Sequence, residues 1–235
     1  MTRIPATLQL DVRLQARSRL YSIGVAIAVV LGLVARSLFD AAPSGRVLAA
    51  LYLLGVGSTT YVFGASLVLM ERTEATLQAL RVTGMPTRLY LGSKVLTLSG
   101  FAIVEAVIVY AVGFWGSVVA PLPLLAGVAG LGMIYTLVGM GQVAGHDSVT
   151  SFLMPGALLV GSVLQLPIFY VLGVGPGWIW YLVPTQGPLL FMLAGFEPLA
   201  PWQWGYAVAM TASAVVMSSW WARRRFDRFV RLSDS

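Results

Sequence analysis

Cysteine is absent from the chain, which excludes disulfides, thiolate metal sites and cysteine nucleophiles together. Histidine occurs once, as His146, and there is no HExxH string, no GxSxG string and no pair of carboxylates within an apolar run. Hydrolytic and metal-assisted chemistry therefore have no residues to work with. Charge is scarce as well: Asp, Glu, Lys and Arg make up 10% of the 235 residues, against roughly 25% in soluble domains. With 58% hydrophobic residues and a mean hydropathy of +0.84, the chain reads as an all-helical integral membrane protein. The formal charge of +6 does not point to nucleic acid, because the arginines flank apolar runs and no basic domain lies outside them. They fit anionic lipid headgroups and membrane topology instead. Gly92-Ser93-Lys94 resembles the end of a phosphate-binding loop but lacks the glycine five positions before Gly92 and the preceding strand, so no ATP site is expected in this chain.

What the chain has in quantity is long apolar runs, each near or above the roughly 20 residues that cross a bilayer as helix. Six are expected, at about 21–39, 47–70, 95–117, 122–145, 151–173 and 202–222. The first twenty residues carry Arg3, Arg13, Arg17 and Arg19 among aliphatic residues, the pattern of an interfacial helix leading into the first span. With both termini cytoplasmic, thirteen of the fifteen Lys and Arg residues fall on the inner side, leaving only Arg36 and Arg46 outside. Residues 174–194 are apolar but hold Pro176, Pro184 and Pro188, and a seventh crossing there would send the RRRFDRFVR tail outward. A broken, re-entrant hairpin on the outer face is expected, resting against protein because lipid cannot satisfy the backbone groups that prolines free. Trp178, Trp180, Tyr181, Trp202, Trp204 and Tyr206 fit an aromatic belt at that face. No soluble domain, low-complexity tract or internal repeat interrupts residues 1–235, which form one membrane domain.

Between the second and third runs lies the most charged stretch of the interior. Glu71, Glu74, Gln78 and Arg81 recur at helical spacing, with Thr73, Leu77, Leu80 and Gly84 on the opposite stripe, so a short amphipathic helix on the membrane surface is expected. It is either a solvated loop helix or a docking element. Glu105, about ten residues into the third run, is costly in lipid and must face the bundle interior, a cavity or a partner. Its two readings are a substrate-path contact and a buried hydrogen-bonding group that fixes packing. Gln165, beside Pro167 in the fifth run, has the same pair of readings. His146 and Asp147 read as a solvated turn near a helix start, and Gly141xxxGly145 permits close helix packing or a subunit contact.

The run Glu71-Arg72-Thr73-Glu74-Ala75-Thr76-Leu77-Gln78-Ala79-Leu80-Arg81-Val82-Thr83, followed by Tyr90-Leu91-Gly92-Ser93-Lys94, resembles the E-R-x-x-x-T-L-x-x-L-x-x-T pattern of ABC-2 type permeases. Asp11-Val12-Arg13-Leu14-Gln15 before Tyr21 is similar to their drug-export branch, the fluoroquinolone export permeases. Departures are Gly84 where proline is common, with Pro86 two positions on, and Ala75 where glycine is frequent. The resemblance implies a permease subunit of an ATP-driven exporter in the bacterial plasma membrane. It implies an elbow helix at 1–20, a coupling helix at 71–86 and an outer re-entrant segment at 174–194. It also implies docking through Glu71, Arg72, Glu74, Thr76, Leu77, Leu80, Arg81 and Thr83 onto a separate ATP-binding subunit that carries ATP and Mg. Two such ATPases and a second permease, identical or paralogous, would complete the transporter. A hydrophobic or amphipathic drug or lipid is the expected cargo. The rivals are polysaccharide or haem-related cargo on the same fold, and a non-transport scaffold that recruits a soluble partner.

Overall fold

The computed structural model describes residues 3–38, 45–73, 86–114, 120–146 and 148–232, and among them there are helices and turns but no strands. The chain opens with α1 (Arg3–Arg17) and α2 (Leu20–Leu38). Between them Ser18 Oγ donates to the Gln15 carbonyl at 2.9 Å, and Arg19 takes a φ of 60°, a left-handed turn residue that redirects the backbone. Next come α3 (Gly45–Leu51), a π-helical turn (Tyr52–Val56) and α4 (Gly57–Thr73), which together make one continuous rod. The longest apolar helix is α5 (Thr87–Gly113), whose 27 residues span about 40 Å. It is followed by α6 (Pro121–Val143) and α7 (Val149–Leu159). A second π turn (Val160–Leu164) leads to the short α8 (Ile168–Val171) and α9 (Gly177–Trp180), then to α10 (Gln186–Ala194) and α11 (Pro201–Leu232).

Five helical stretches among the described residues are long and apolar enough to cross a membrane: 20–37, 45–72, 87–113, 121–143 and 150–171. They coincide with the first five expected runs to within a few residues, except that α5 starts eight residues early. The sixth expected run lies in α11, which at 32 residues is long but is diluted by Thr211, Ser213, Ser218 and Ser219. The arginine-rich tail continues this helix rather than leaving it.

At the centre stands α6, apolar on all sides and in contact with α4, α5, α10 and α11. Such crowding requires small residues at the crossings. A side chain at Gly139 would collide with the carbonyl oxygen of Tyr61 on α4, and a Cβ at Gly127 would sit 2.6 Å from that of Pro188. Of the Gly141xxxGly145 pair, Gly141 serves the same end inside the chain, while Gly145 lies in the exposed turn after α6. A Cβ at Gly141 would meet the Trp221 ring of α11 at 2.5 Å, so this glycine seats a helix of its own subunit.

The fifth run is broken, not one regular span. Pro155 lies within α7, the π turn follows, and the helix stops at Gln165–Pro167 before α8 resumes. Freed backbone groups find partners in the chain, since Thr185 Oγ1 donates to the Leu164 carbonyl at 2.6 Å. Of residues 174–194, the stretch from Val183 onward rests on protein, while Val174, Trp178 and Leu182 are exposed. Gly173 and Gly175 take positive φ of 69° and 75° at the turn. Beyond them, Gln186, Leu189, Leu190 and Met192 of α10 are fully buried.

Candidate functional site

Of the eight docking positions read from the sequence, Glu71 and Arg72 are described. Glu74, Thr76, Leu77, Leu80, Arg81 and Thr83 lie outside the described residues, as does Asp147.

Glu71 ends the second span in a buried charge cluster. Its Oε1 lies 2.5 Å from the Lys94 ammonium, and its Oε2 accepts the Tyr90 hydroxyl at 2.6 Å. Lys94 also donates to Asp11 Oδ1 at 3.1 Å and sits 4.8 Å from the Tyr90 ring centroid. The lysine is 1% exposed and both acids 6%. Two carboxylates thus share one ammonium out of contact with water, and Asp11 Oδ2 is buried without a hydrogen bond. Groups this deep are kept only where partners hold them, because desolvation opposes each charge.

The cluster belongs to a longer seam. Asp11 meets Lys94, and Gln15 Nε2 donates to Thr97 Oγ1 at 2.8 Å while accepting from Tyr21. Further along, Gly24 lies against Phe101 and Glu105, and Gly32 against Val112. These pairs advance together, so α1 from Asp11 onward and α2 both follow α5 in the same direction. The polar groups of α1 therefore face a helix, while Arg13 and Arg17 are exposed. A cavity of about 370 Å³ separates α1 from α4 beside Glu71, lined by Leu14, Arg17, Ser18, Leu67 and Met70.

The helices that flank residues 74–85 are both tied to neighbouring elements. At one end Arg72 Nη1 donates to the His146 carbonyl at 2.8 Å, tying α4 to the turn between α6 and α7. On either side of residue 147, His146 Nδ1 lies 3.0 Å from the Gln142 carbonyl, and Ser148 and Ser151 form a reciprocal cap on α7. At the other end Thr87 Oγ1 donates to Asp227 of α11 at 3.0 Å, and Tyr90 packs against Phe226 with ring centroids 5.8 Å apart. Five elements, α1, α4, α5, the α6–α7 turn and α11, converge on the roots of that one segment. The arrangement is mechanical in character, since the lysine amine and the acids are engaged with one another.

Glu105 and Gln165 lie elsewhere. Glu105 is 1% exposed and accepts from Thr59 at 2.8 Å, with its other oxygen turned toward Gly24, where a Cβ would approach to 2.5 Å. Gln165 donates to Ser58 at 2.8 Å, joining the break in the fifth span to the second. Each is thus held by a side chain of the second span, and Glu105 Oε1 is buried without a hydrogen bond. The sequence reading missed the roles of Asp11, Tyr90 and Lys94. Their signal was present, since an isolated lysine next to an apolar run and an aspartate in an otherwise basic first helix each call for a partner.

Multiple apolar, membrane-length helices packed on a glycine-lined centre make this a multi-pass helical membrane protein. The chain belongs to the fluoroquinolones export permease protein family, whose pattern it matches over residues 2–233. Two similar proteins, each named a fluoroquinolones export permease protein, come from Mycobacterium tuberculosis strains CDC 1551 / Oshkosh and ATCC 25618 / H37Rv. Each is 32% identical over 239 residues, covering 98% of this chain and 97% of the relative. No solved structure matches the chain. It is thus a membrane permease of an export family.

Proposed function

We propose that the chain is the membrane-spanning subunit of an ATP-driven exporter that moves amphipathic drugs outward across the bacterial inner membrane. In this reading α11 is the sixth crossing, both termini are cytoplasmic, and residues 174–194 form the outer re-entrant segment. Residues 71–86 are the coupling helix, and α1 is the elbow. A separate ATP-binding subunit in two copies supplies ATP and Mg, and a second permease, identical or paralogous, completes the pathway. Closure of the ATPases on ATP would move the two coupling helices together and change the side to which the cavity between permeases opens, the bias coming from their different affinity for ATP in the two states. Glu105 and Gln165 are proposed to hold the spans in register along that path.

The observation that carries the reading is that α4 and α5, the helices on either side of residues 74–85, are each tied into the bundle close to that connection. A docking helix can drive spans only if its ends are fixed to them, and Glu71 with Lys94 and Asp11 at one root, and Thr87 with Asp227 at the other, supply such fixings. Helix-in-groove docking then acts on α4 and α5 as one body. The test is ATP hydrolysis by the reconstituted complex of the permease and its ATP-binding subunit. An exporter raises hydrolysis when norfloxacin, a fluoroquinolone, is added, whereas a scaffold that merely recruits the ATPase leaves it insensitive to the drug.

A further inference from the structure

A groove runs between α7 and α11 over the flank of α6. It encloses about 510 Å³ and is walled by Val138 of α6, Leu159 and Leu164 of the fifth run, and Ser218, Trp220 and Trp221 of α11. Its volume falls in the range of roughly 300–1,000 Å³ used for drug-sized ligands. Ser218 is the one hydroxyl in this otherwise apolar lining. The rims stay uncovered, with Leu158 66% and Met217 64% exposed.

One helical turn beyond the lining tryptophans, α11 carries two cations. Arg224 lies 3.8 Å over the Trp220 ring and Arg225 5.5 Å from the Trp221 centroid, each four residues beyond its indole on the same helical face. Among the described residues neither guanidinium is paired with a carboxylate. The Trp221 ring is held in place because it rests on the bare backbone of Gly141. The groove therefore offers fixed aromatic surface beside two uncommitted positive charges.

We propose that this groove is a binding site for a flat aromatic amphiphile bearing a carboxylate, with Trp220 and Trp221 against its rings and Arg224 and Arg225 opposite its anion. The proposal deepens the exporter reading and rests on it for the direction in which the ligand leaves. A small planar ligand is favoured over a phospholipid because paired acyl chains would overfill the space and gain nothing from indole faces. It is favoured over a second copy of the chain because the lining is concave and built from four separated stretches, Pro184 ahead of α10 being the fourth, and two like-charged Arg224–Arg225 ends would repel if α11 met its own copy side by side.

The lack of cysteine provides the test. Ser218→Cys places a lone thiol on the groove wall, and Ser213→Cys places one on an exposed face of α11 outside it. With the full chain and its ATP-binding subunit in phosphatidylcholine vesicles, saturating norfloxacin should slow maleimide labelling at Ser218→Cys about tenfold and leave Ser213→Cys unchanged. Arg224→Gln should weaken norfloxacin protection by roughly tenfold, the scale of a lost charge-assisted contact, while leaving protection by norfloxacin ethyl ester alone. Equal labelling at Ser218→Cys with and without drug overturns the site, as does no labelling at all. Protection by added phosphatidylglycerol without drug, or a disulfide-linked permease pair through Ser218→Cys, assigns the groove to lipid or to a second copy and overturns it too. If ATP-driven norfloxacin transport is intact in Ser218→Phe, the groove falls while the exporter stands. If drug protects Ser218→Cys but ATP never moves it, the exporter reading falls while the groove stands.

Discussion

Replacing Lys94 with methionine should be the most damaging single change at the coupling-segment root. Among the described residues the ammonium is the one cation within hydrogen-bonding reach of Asp11 and Glu71, at 3.1 and 2.5 Å, and none of the three side chains is more than 8% exposed. Removing one partner of a buried ion pair costs about 3–5 kcal/mol, because the remaining charge can neither hydrate nor pair. Glu71 retains the Tyr90 hydroxyl, which places the expected loss near 4 kcal/mol rather than at twice the single-pair figure. Asp11→Asn should cost less, about 1–2 kcal/mol, since Lys94 keeps its shorter contact to Glu71 and Asp11 Oδ2 has no bond to lose. The sharper expectation concerns the triple variant Lys94→Met, Asp11→Asn, Glu71→Gln. Its buried groups are neutral, so it should be more stable than Lys94→Met alone despite two further substitutions. Tryptophan fluorescence on heating the detergent-solubilised protein is a suitable assay. At roughly 2–4 °C per kcal/mol for a chain of this size, Lys94→Met should lower Tm by about 8–16 °C. A Tm within about 2 °C of wild type, or a triple variant that melts below Lys94→Met, would refute the reasoning.

Other changes separate the remaining parts of the account. Leu77→Asp or Leu80→Asp should abolish capture of the ATP-binding subunit while leaving the melting curve unchanged; retention of that subunit by the variant on an affinity column would count against the docking helix. Gly139→Ala, which sets a methyl against the Tyr61 carbonyl, should destabilise by about 1–3 kcal/mol, measured by the same melt, and a neutral result would mean that α4 and α6 are less tightly crossed than the structure has them. Glu105→Gln keeps an acceptor for Thr59, so transport should persist and stability should change by less than about 1 kcal/mol; complete loss of transport in a stable variant would make Glu105 a substrate contact. Arg46→Ala removes an exposed pair with Glu197, whose side chains are 57% and 38% exposed, and should shift stability by no more than about 0.5 kcal/mol.

The membrane-spanning runs were legible from the sequence because apolar length is itself the physical criterion for a span. The prolines of residues 174–194 announced a segment expected to rest on protein; Gln186, Leu189 and Leu190 are buried, whereas Val174, Trp178 and Leu182 are exposed. Partnerships were not legible where they join distant positions: Asp11 and Lys94 are 83 residues apart, and nothing local to either names the other. Glu71 was singled out as part of an amphipathic stripe, yet its carboxylate turns inward to Lys94 and Tyr90, since the helix of the second span still governs its direction. Gly141xxxGly145 was ambiguous for the same reason, as spacing alone does not say which helix fills the gap. The α7–α11 groove escaped notice because its walls come from four separated stretches, none with a distinctive motif.

The central claim, an export permease driven through its second-to-third-span connection, is tested most directly by ATP-dependent norfloxacin uptake into inside-out vesicles holding the permease and its ATP-binding subunit. Uptake that requires ATP and disappears in folded Leu80→Asp is the predicted result. Uptake that proceeds equally without ATP, or survives in Leu80→Asp, would contradict it.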